Sequence, residues 1–363
     1  MRELTSRERI GRILRREPVD RIGVHESFWG DTQKAWTDQG HLAEGESLAD
    51  HFGLDIRNAG WLKMVSNLDA PDEIVEEDEQ TKLVRNGNGA LLRWWKTHNG
   101  TPEHVDFLVK DRAGWEAHCR PHLVNPDNIR RRIDFQQYRQ VKAKCEREEL
   151  FFCWGGVNVF ECMHPVCGHE YMLMGMALDP DWVKDMCNVF ADVTVQCLET
   201  LFAEEGKPDG LFFYEDMGFK HKPFMSPAMY MDILWPAHRK TFDFGKSLGL
   251  PIIVHSCGYV EPLVGGLIEA GMDFLQAMEV KAGMDLVELK HKYGDRIAFM
   301  GGLDVRALES NDTAQIEAEL RKKLPVAMEG GGYCLHTDHS VSSRVRYETY
   351  KYFVDRGLEM GTY

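Results

Sequence analysis

No apolar stretch in the 363 residues approaches the roughly 18 that a membrane-spanning helix needs, which argues against a membrane protein. Neither G-x-G-x-x-G nor G-x-x-x-x-G-K-[ST] occurs. A doubly wound nucleotide-binding fold wants such a turn after its first strand, so that architecture is disfavoured. An apolar h-region is missing from the opening MRELTSRERIGRILRREPVD, which is charged throughout, so a cytoplasmic location is expected. Basic charge is in deficit: 43 Lys and Arg against 58 Asp and Glu give a net charge of −15. Such a field disfavours nucleic acid and anionic membrane surfaces as partners, and acidic patches such as APDEIVEEDEQ (70–80) read as solvated loops. The nine cysteines are odd in number and lack the short regular spacings of a disulfide scaffold. In a reducing compartment most of them act as small buried apolar residues, which leaves a few as candidate ligands.

What is present is an ordinary globular composition, 43% hydrophobic and 10% aromatic. The stretch LTSRERIGRILRREP reads as a helix capped by Thr5 or Ser6, with Ile10, Ile13 and Leu14 as its apolar stripe and Pro18 as its stop. From there to about residue 148 tryptophans alternate with Gly, Asn and Asp turns, and the region reads as a helical and hairpin-like elaboration. From about 150 the rhythm is regular. Short apolar runs at 150–156, 209–216, 251–258, 272–279, 296–304 and 331–338 alternate with helical stretches such as 179–206 and 313–331. Strand followed by helix, repeated, is the pattern of parallel βαβ units. The runs end in polar groups: Glu215 and Asp216, His255 and Cys257, Glu279, Asp304, then Cys334, His336 and Asp338. Reactive residues at the carboxyl ends of several strands are how a (β/α)8 TIM barrel builds a site. The expectation is one domain over 1–363, in which 1–148 supplies the elaboration and first barrel elements and 149–363 the regular βα units.

In PIIVHSCGYVEPL (251–263), His255 and Cys257 stand two apart where an apolar strand runs out, so both side chains point to one face. An imidazole and two thiolates hold zinc while leaving a fourth position open, and Cys334 ends a later strand. The alternative is a buried strand-end cysteine beside a hydrogen-bonded histidine. Glu215 and Asp216 are adjacent, so a regular strand sends at most one of them into the site, as metal ligand, general base or binder of a substrate cation; a salt bridge is the alternative. His336 shares a face with Cys334, and Asp338 on the following loop either orients a ligand imidazole or acts on substrate. Upstream, ECMHPVCGHE puts Cys162, His164, Cys167 and His169 within eight residues, like a compact metal knuckle. Pro165 and Gly168 make that segment read as a loop.

Three long blocks then carry a resemblance: YEDMGFKHKPFMSPAMYMDILWPAHRK, VHSCGYVEPLVGGLIEAGMDFLQAMEVKAGMDLVELKHKYGDRIAFMGGLDVRAL and GGYCLHTDHSVSSRVRYETYKYFVD. Together with LTSRERIGRILRREPVDRIGV near the start, they resemble the uroporphyrinogen decarboxylase superfamily, and within it the branch of zinc-dependent, corrinoid-linked methyltransferases. The decarboxylase's own early motif, with a tryptophan, paired arginines and a Gln-Ala-Gly run, has no counterpart in HESFWGDTQKAW. A substrate with many carboxylates needs cationic anchors, so true uroporphyrinogen decarboxylation is not expected.

The resemblance implies Zn2+ on His255, Cys257 and Cys334, the places of the His-x-Cys and distant Cys in members that methylate thiols such as coenzyme M. From their strand-end positions Glu215, Asp216 and Asp338 are the candidate catalytic groups, and the resemblance adds a metal-site role for Glu215, because members acting on methyl ethers use a more carboxylate-rich metal site. No D-x-H-x-x-G cobalamin motif occurs, so the cobalamin would be carried by a separate corrinoid protein. The expected activity is methyl transfer between that protein and a small-molecule donor or acceptor, and a homodimer is compatible with it. A metal-free decarboxylase-like lyase and a non-catalytic ligand-binding barrel are the alternatives.

Overall fold

The computed structural model describes residues 2–97 and 101–363. Its strands, in chain order, are β1 (Gly23–Val24), β2 (Ile56–Ala59), β3 (Glu73–Glu77), β4 (Thr81–Arg85), β5 (Leu91–Trp95), β6 (Glu103–Asp106), β7 (Phe151–Val157), β8 (Gly210–Tyr214), β9 (Ile252–Ser256), β10 (Phe274–Ala277), β11 (Ala298–Gly301) and β12 (Tyr333–Leu335). Eight of them form one sheet in the order β1-β12-β11-β10-β9-β8-β7-β2, every pair parallel. This is a (β/α)8 barrel, and the six apolar runs of the second half of the sequence are its strands β7 to β12.

The two ends of that order, β1 and β2, are joined by the buried Asp55. Its backbone amide donates to Val24 O (2.8 Å), and its carboxylate accepts from Val24 N (2.8 Å). The same carboxylate takes Arg9 at 2.9 Å and Arg21 at 2.9 Å, so a buried charge is paired as burial requires.

Along each strand residues alternate between the barrel interior and the helical shell. On β7, Phe151 and Cys153 face in with Phe212, Ile253, Phe274 and Met300, whereas Phe152 and Trp154 pack outward. The amino-terminal end of the interior is plugged by α1 (Ser6–Leu14). Thr5 and Glu8 cap that helix reciprocally, and Ile10, Ile13 and Leu14 enter the inner cluster.

The remaining strands, β3 to β6, form an antiparallel meander. It packs on α2 (Val159–Leu178), where the Asn88 amide donates to Pro165 O at 3.2 Å. The stretch 162–169, read from its proline and glycine as a loop, is helical instead. Pro165 is accommodated inside α2, and the chain breaks direction only at Gly168, with φ +71° and ψ 161°. A Cβ there would lie 2.5 Å from the Phe107 ring, so glycine is required for the kink and for the contact with the meander. No helix among the described residues is long and apolar enough to cross a membrane.

Candidate metal centre

At the carboxyl end of the barrel, β8 and β9 lie in register with Tyr214 opposite His255. Two residues further along each strand, still on the inner face, stand Asp216 and Cys257. Asp216 Oδ1 accepts from the Cys257 amide (2.8 Å) and lies 3.2 Å from His255 Nε2; Cys257 Sγ is 3.1 Å from the same nitrogen. The three donor atoms lie within 4.8 Å of one another.

The ring of His255 is fixed from behind. Its Nδ1 donates to Gln276 Oε1, which leaves Nε2 directed at Asp216 and Cys257. The Gln276 amide in turn donates to His336 Nε2 (3.0 Å), and His336 Nδ1 donates to Thr337 O, so His336 is held as the neutral Nδ1–H tautomer. Burial, reinforced by His25, lowers the pKa of His336 to about 3. A backing hydrogen bond that sets the tautomer is the arrangement ligand histidines use.

The electrostatics ask for a cation. Burial opposes charge on His255, yet the Cys257 sulfur and the Asp216 carboxylate outweigh it and hold the imidazole's pKa well above its ordinary value. Burial raises the pKa of Asp216, but His255 and the Cys257 amide bring it down to about 2. Sulfur, imidazole nitrogen and carboxylate oxygen on three sides are a donor set that fits Zn2+ with a position left open.

Cys334 is not in this cluster. It lies in the apolar interior against α1, where a Cβ on Gly23 would meet both Ile10 and the Cys334 sulfur (3.1 Å). The ladder places His255 level with Gln276, Gln276 with Met300, and Met300 with Cys334. Barrel strands tilt, however, so each step around the wall shifts the register along the axis. With strands about 4.8 Å apart and tilted about 36°, three steps amount to about 8 Å. Cys334 thus sits a layer deeper than His255, and its neighbour two residues on, His336, reaches the Gln276 level in its place.

Glu215 and Asp338 also lie off the cluster. Glu215 faces outward, as strand alternation requires once Asp216 faces in. Fully buried, its carboxylate accepts from the amides of Phe160 (3.0 Å) and Glu161 (2.9 Å) at the start of α2, and from His238 Nε2. Tyr230 completes that chain at 3.0 Å from His238 Nδ1. Asp338 accepts from the amides of Val280 and Val305, both at 2.8 Å, and so ties together the loops after β10 and β11. Burial raises its pKa to about 6 against those two hydrogen bonds.

A cavity of about 790 Å³ opens beside Asp216 and Cys257, walled on its far side by the meander and α2. Cys162 and Cys167 turn away from it into the core, where burial pushes the Cys167 thiol up to about 12. His164 and His169 face the cavity, joined by His104 of β6. Gln276 and His104 were not singled out by sequence reasoning. A neutral amide carries no chemical signature, and a lone histidine in an irregular region offers no spacing to read.

Comparison with solved structures finds a methyltransferase from Methanosarcina mazei, 17% identical, covering 98% of this chain and 99% of that one with a TM-score of 0.70. At that identity the likeness is one of fold. Among curated proteins, a uroporphyrinogen decarboxylase of Streptomyces coelicolor is 29% identical over 177 residues, 49% of this chain. The match spans about half the length of that relative, 47%. The family model described as "Uroporphyrinogen decarboxylase (URO-D)" matches residues 152–359, more than half of the chain and all of β8 to β12. The chain therefore belongs to the uroporphyrinogen decarboxylase family.

Proposed function

We propose that this family member is a zinc-dependent methyltransferase that moves a methyl group between a corrinoid carried by a separate protein and a small thiol or methylated substrate. The observation that carries the reading is the convergence of Asp216, His255 and Cys257 on one point of the cavity wall, with the His255 tautomer set by Gln276. These three residues would hold the ion. Zinc bound there supplies a Lewis acid that favours loss of the proton from a thiol or polarises the oxygen of a methyl ether.

The chain's own groups do the rest. Gln276 keeps the donor nitrogen of His255 aimed at the centre, and Asp216 locks the tip of β9 through the Cys257 amide. Leu92, Pro165 and Phe224 give the cavity an apolar lining that limits water around the reacting groups, while Lys220 and Lys281 can balance an anionic end of the substrate. Trp94 and Phe219 stand at the cavity 37% and 50% exposed, an apolar rim over which a corrinoid protein can seat. Decarboxylation of uroporphyrinogen fits less well, because Glu161, Asp216 and Glu279 outnumber Lys220 and Lys281 on the wall and no arginine among the described residues lines it.

The test combines chelation with turnover. Demetallated protein given a methylated corrinoid protein and a panel of thiols should be inactive, should recover with Zn2+, and should lose that recovery in Cys257→Ser. Full methyl transfer after exhaustive chelation would overturn the zinc dependence on which the reading rests.

A further inference from the structure

Across the cavity from the proposed zinc centre, three histidines from two elements face one another. The rings of His164 and His169 stack with centroids 4.4 Å apart, and His104 lies 5.8 and 6.0 Å from them. Each ring offers a nitrogen, and these three nitrogens lie within 4.8 Å of one another. On an unbroken helix residues five apart point about 140° away from each other. The kink at Gly168 is what turns His169 back over His164, and the packing of Phe107 on that glycine brings β6, and His104 with it, to the same place.

The second observation concerns atoms left over. Glu161 Oε1 lies 2.9 Å from His164 Nε2, a contact that favours a proton on that nitrogen and so leaves the ring's lone pair on Nδ1. His164 Nδ1 is buried and has no hydrogen-bond partner among the described residues; nor does Glu161 Oε2. A half-buried imidazole backed by a carboxylate on one nitrogen, with the other shielded and unsatisfied, is how ligand histidines are held before an ion arrives.

We propose that His104, His164 and His169 form a second divalent-cation site, with Glu161 orienting His164, that takes a Zn2+-type ion through imidazole nitrogen alone. Three nitrogen ligands leave a coordination position toward the cavity, where it faces the same substrate space as Cys257. The site lacks sulfur, so the two centres are chemically distinguishable, and neither depends on the other for its ligands.

Cobalt(II) is the probe, because thiolate ligation gives an intense near-ultraviolet charge-transfer band and imidazole ligation does not. Metal-free wild-type protein titrated with Co2+ should bind about two equivalents, only one of them with the thiolate band. Cys257→Ser should abolish the band and retain one equivalent with d–d absorption alone. Adding His104→Ala and His169→Ala to that variant should remove the remaining equivalent, with circular dichroism confirming that the fold is kept. The double histidine variant in the wild-type background should keep the thiolate band. The proposal is overturned if Cys257→Ser binds no cobalt, or if its cobalt survives loss of both histidines. Failure of the thiolate band alone would count against the zinc centre and leave this site standing.

Discussion

The lower and upper halves of the barrel interior are built from the same strands, two residues apart, and have opposite chemistry. Near α1 the inward positions are Phe151, Cys153, Phe212, Ile253, Met300 and Cys334, an apolar plug without a paired polar side chain among them. One step toward the carboxyl ends they become Tyr214, His255, Gln276 and His336, the last three linked by hydrogen bonds and Tyr214 packed on the His255 ring. The two cysteines first considered as partners fall on either side of this divide. Cys334 is a small core residue whose thiol burial holds well above its ordinary pKa, whereas Cys257 sits between an imidazole and a carboxylate at the cavity. Height along the strand, rather than residue type, decides which of them is available for chemistry.

The comparison can be broken most severely from outside the barrel. Glu215→Ala leaves His238 and two amides of α2 without their acceptor, so it should cost about 3–5 kcal/mol of stability in urea unfolding. The affinity of the Asp216–His255–Cys257 centre in the folded fraction should not change, since Glu215 faces away from it.

A second effect belongs to the upper half. Glu26, fully buried beside His336, has its pKa raised from 4.5 to about 8, chiefly by burial. The folded state therefore keeps a proton that the unfolded state releases, and this contribution to stability is present below about pH 4.5 and is lost as pH rises toward 8. The slope should reach at most ~1.4 kcal/mol per pH unit. Glu26→Gln should flatten it whatever its own baseline, as read from urea midpoints across that window.

Gln276→Leu keeps the volume but frees the His255 ring, and should weaken metal binding about 10–100-fold in a competition assay with a chromophoric chelator. The smallest effect is expected from Cys334→Ala. It should leave metal affinity unchanged and cost about 1 kcal/mol, the transfer and cavity terms of one buried sulfur.

Strands β8 to β12 were legible because each pairs an apolar run with a polar tail, β7 because its apolar run opens the regular rhythm, and the helix of residues 6–14 because its cap and stripe agree. β1 and β2 lie in stretches, RIGVHES and LDIRNAG, whose charged and polar residues leave no apolar run to read, and Asp55, which joins them, looks in sequence like any surface acid. His255 with Cys257 was legible because a two-residue period survives to the end of a strand. The separation of Cys334 from them was not, since spacing along the chain says nothing about strand tilt. Helix α2 hid behind Pro165 and Gly168, residues that ordinarily end a helix and here bend one.

The central claim, that the metal centre uses one sulfur and not two, is tested most directly by zinc K-edge X-ray absorption on demetallated protein reloaded with a single equivalent, in a variant lacking His104 and His169. The account predicts one sulfur neighbour at about 2.3 Å and the rest nitrogen or oxygen at about 2.0–2.2 Å. The same spectrum should be recorded from Cys334→Ala. Two sulfur neighbours, one of them lost on replacing Cys334, would contradict it.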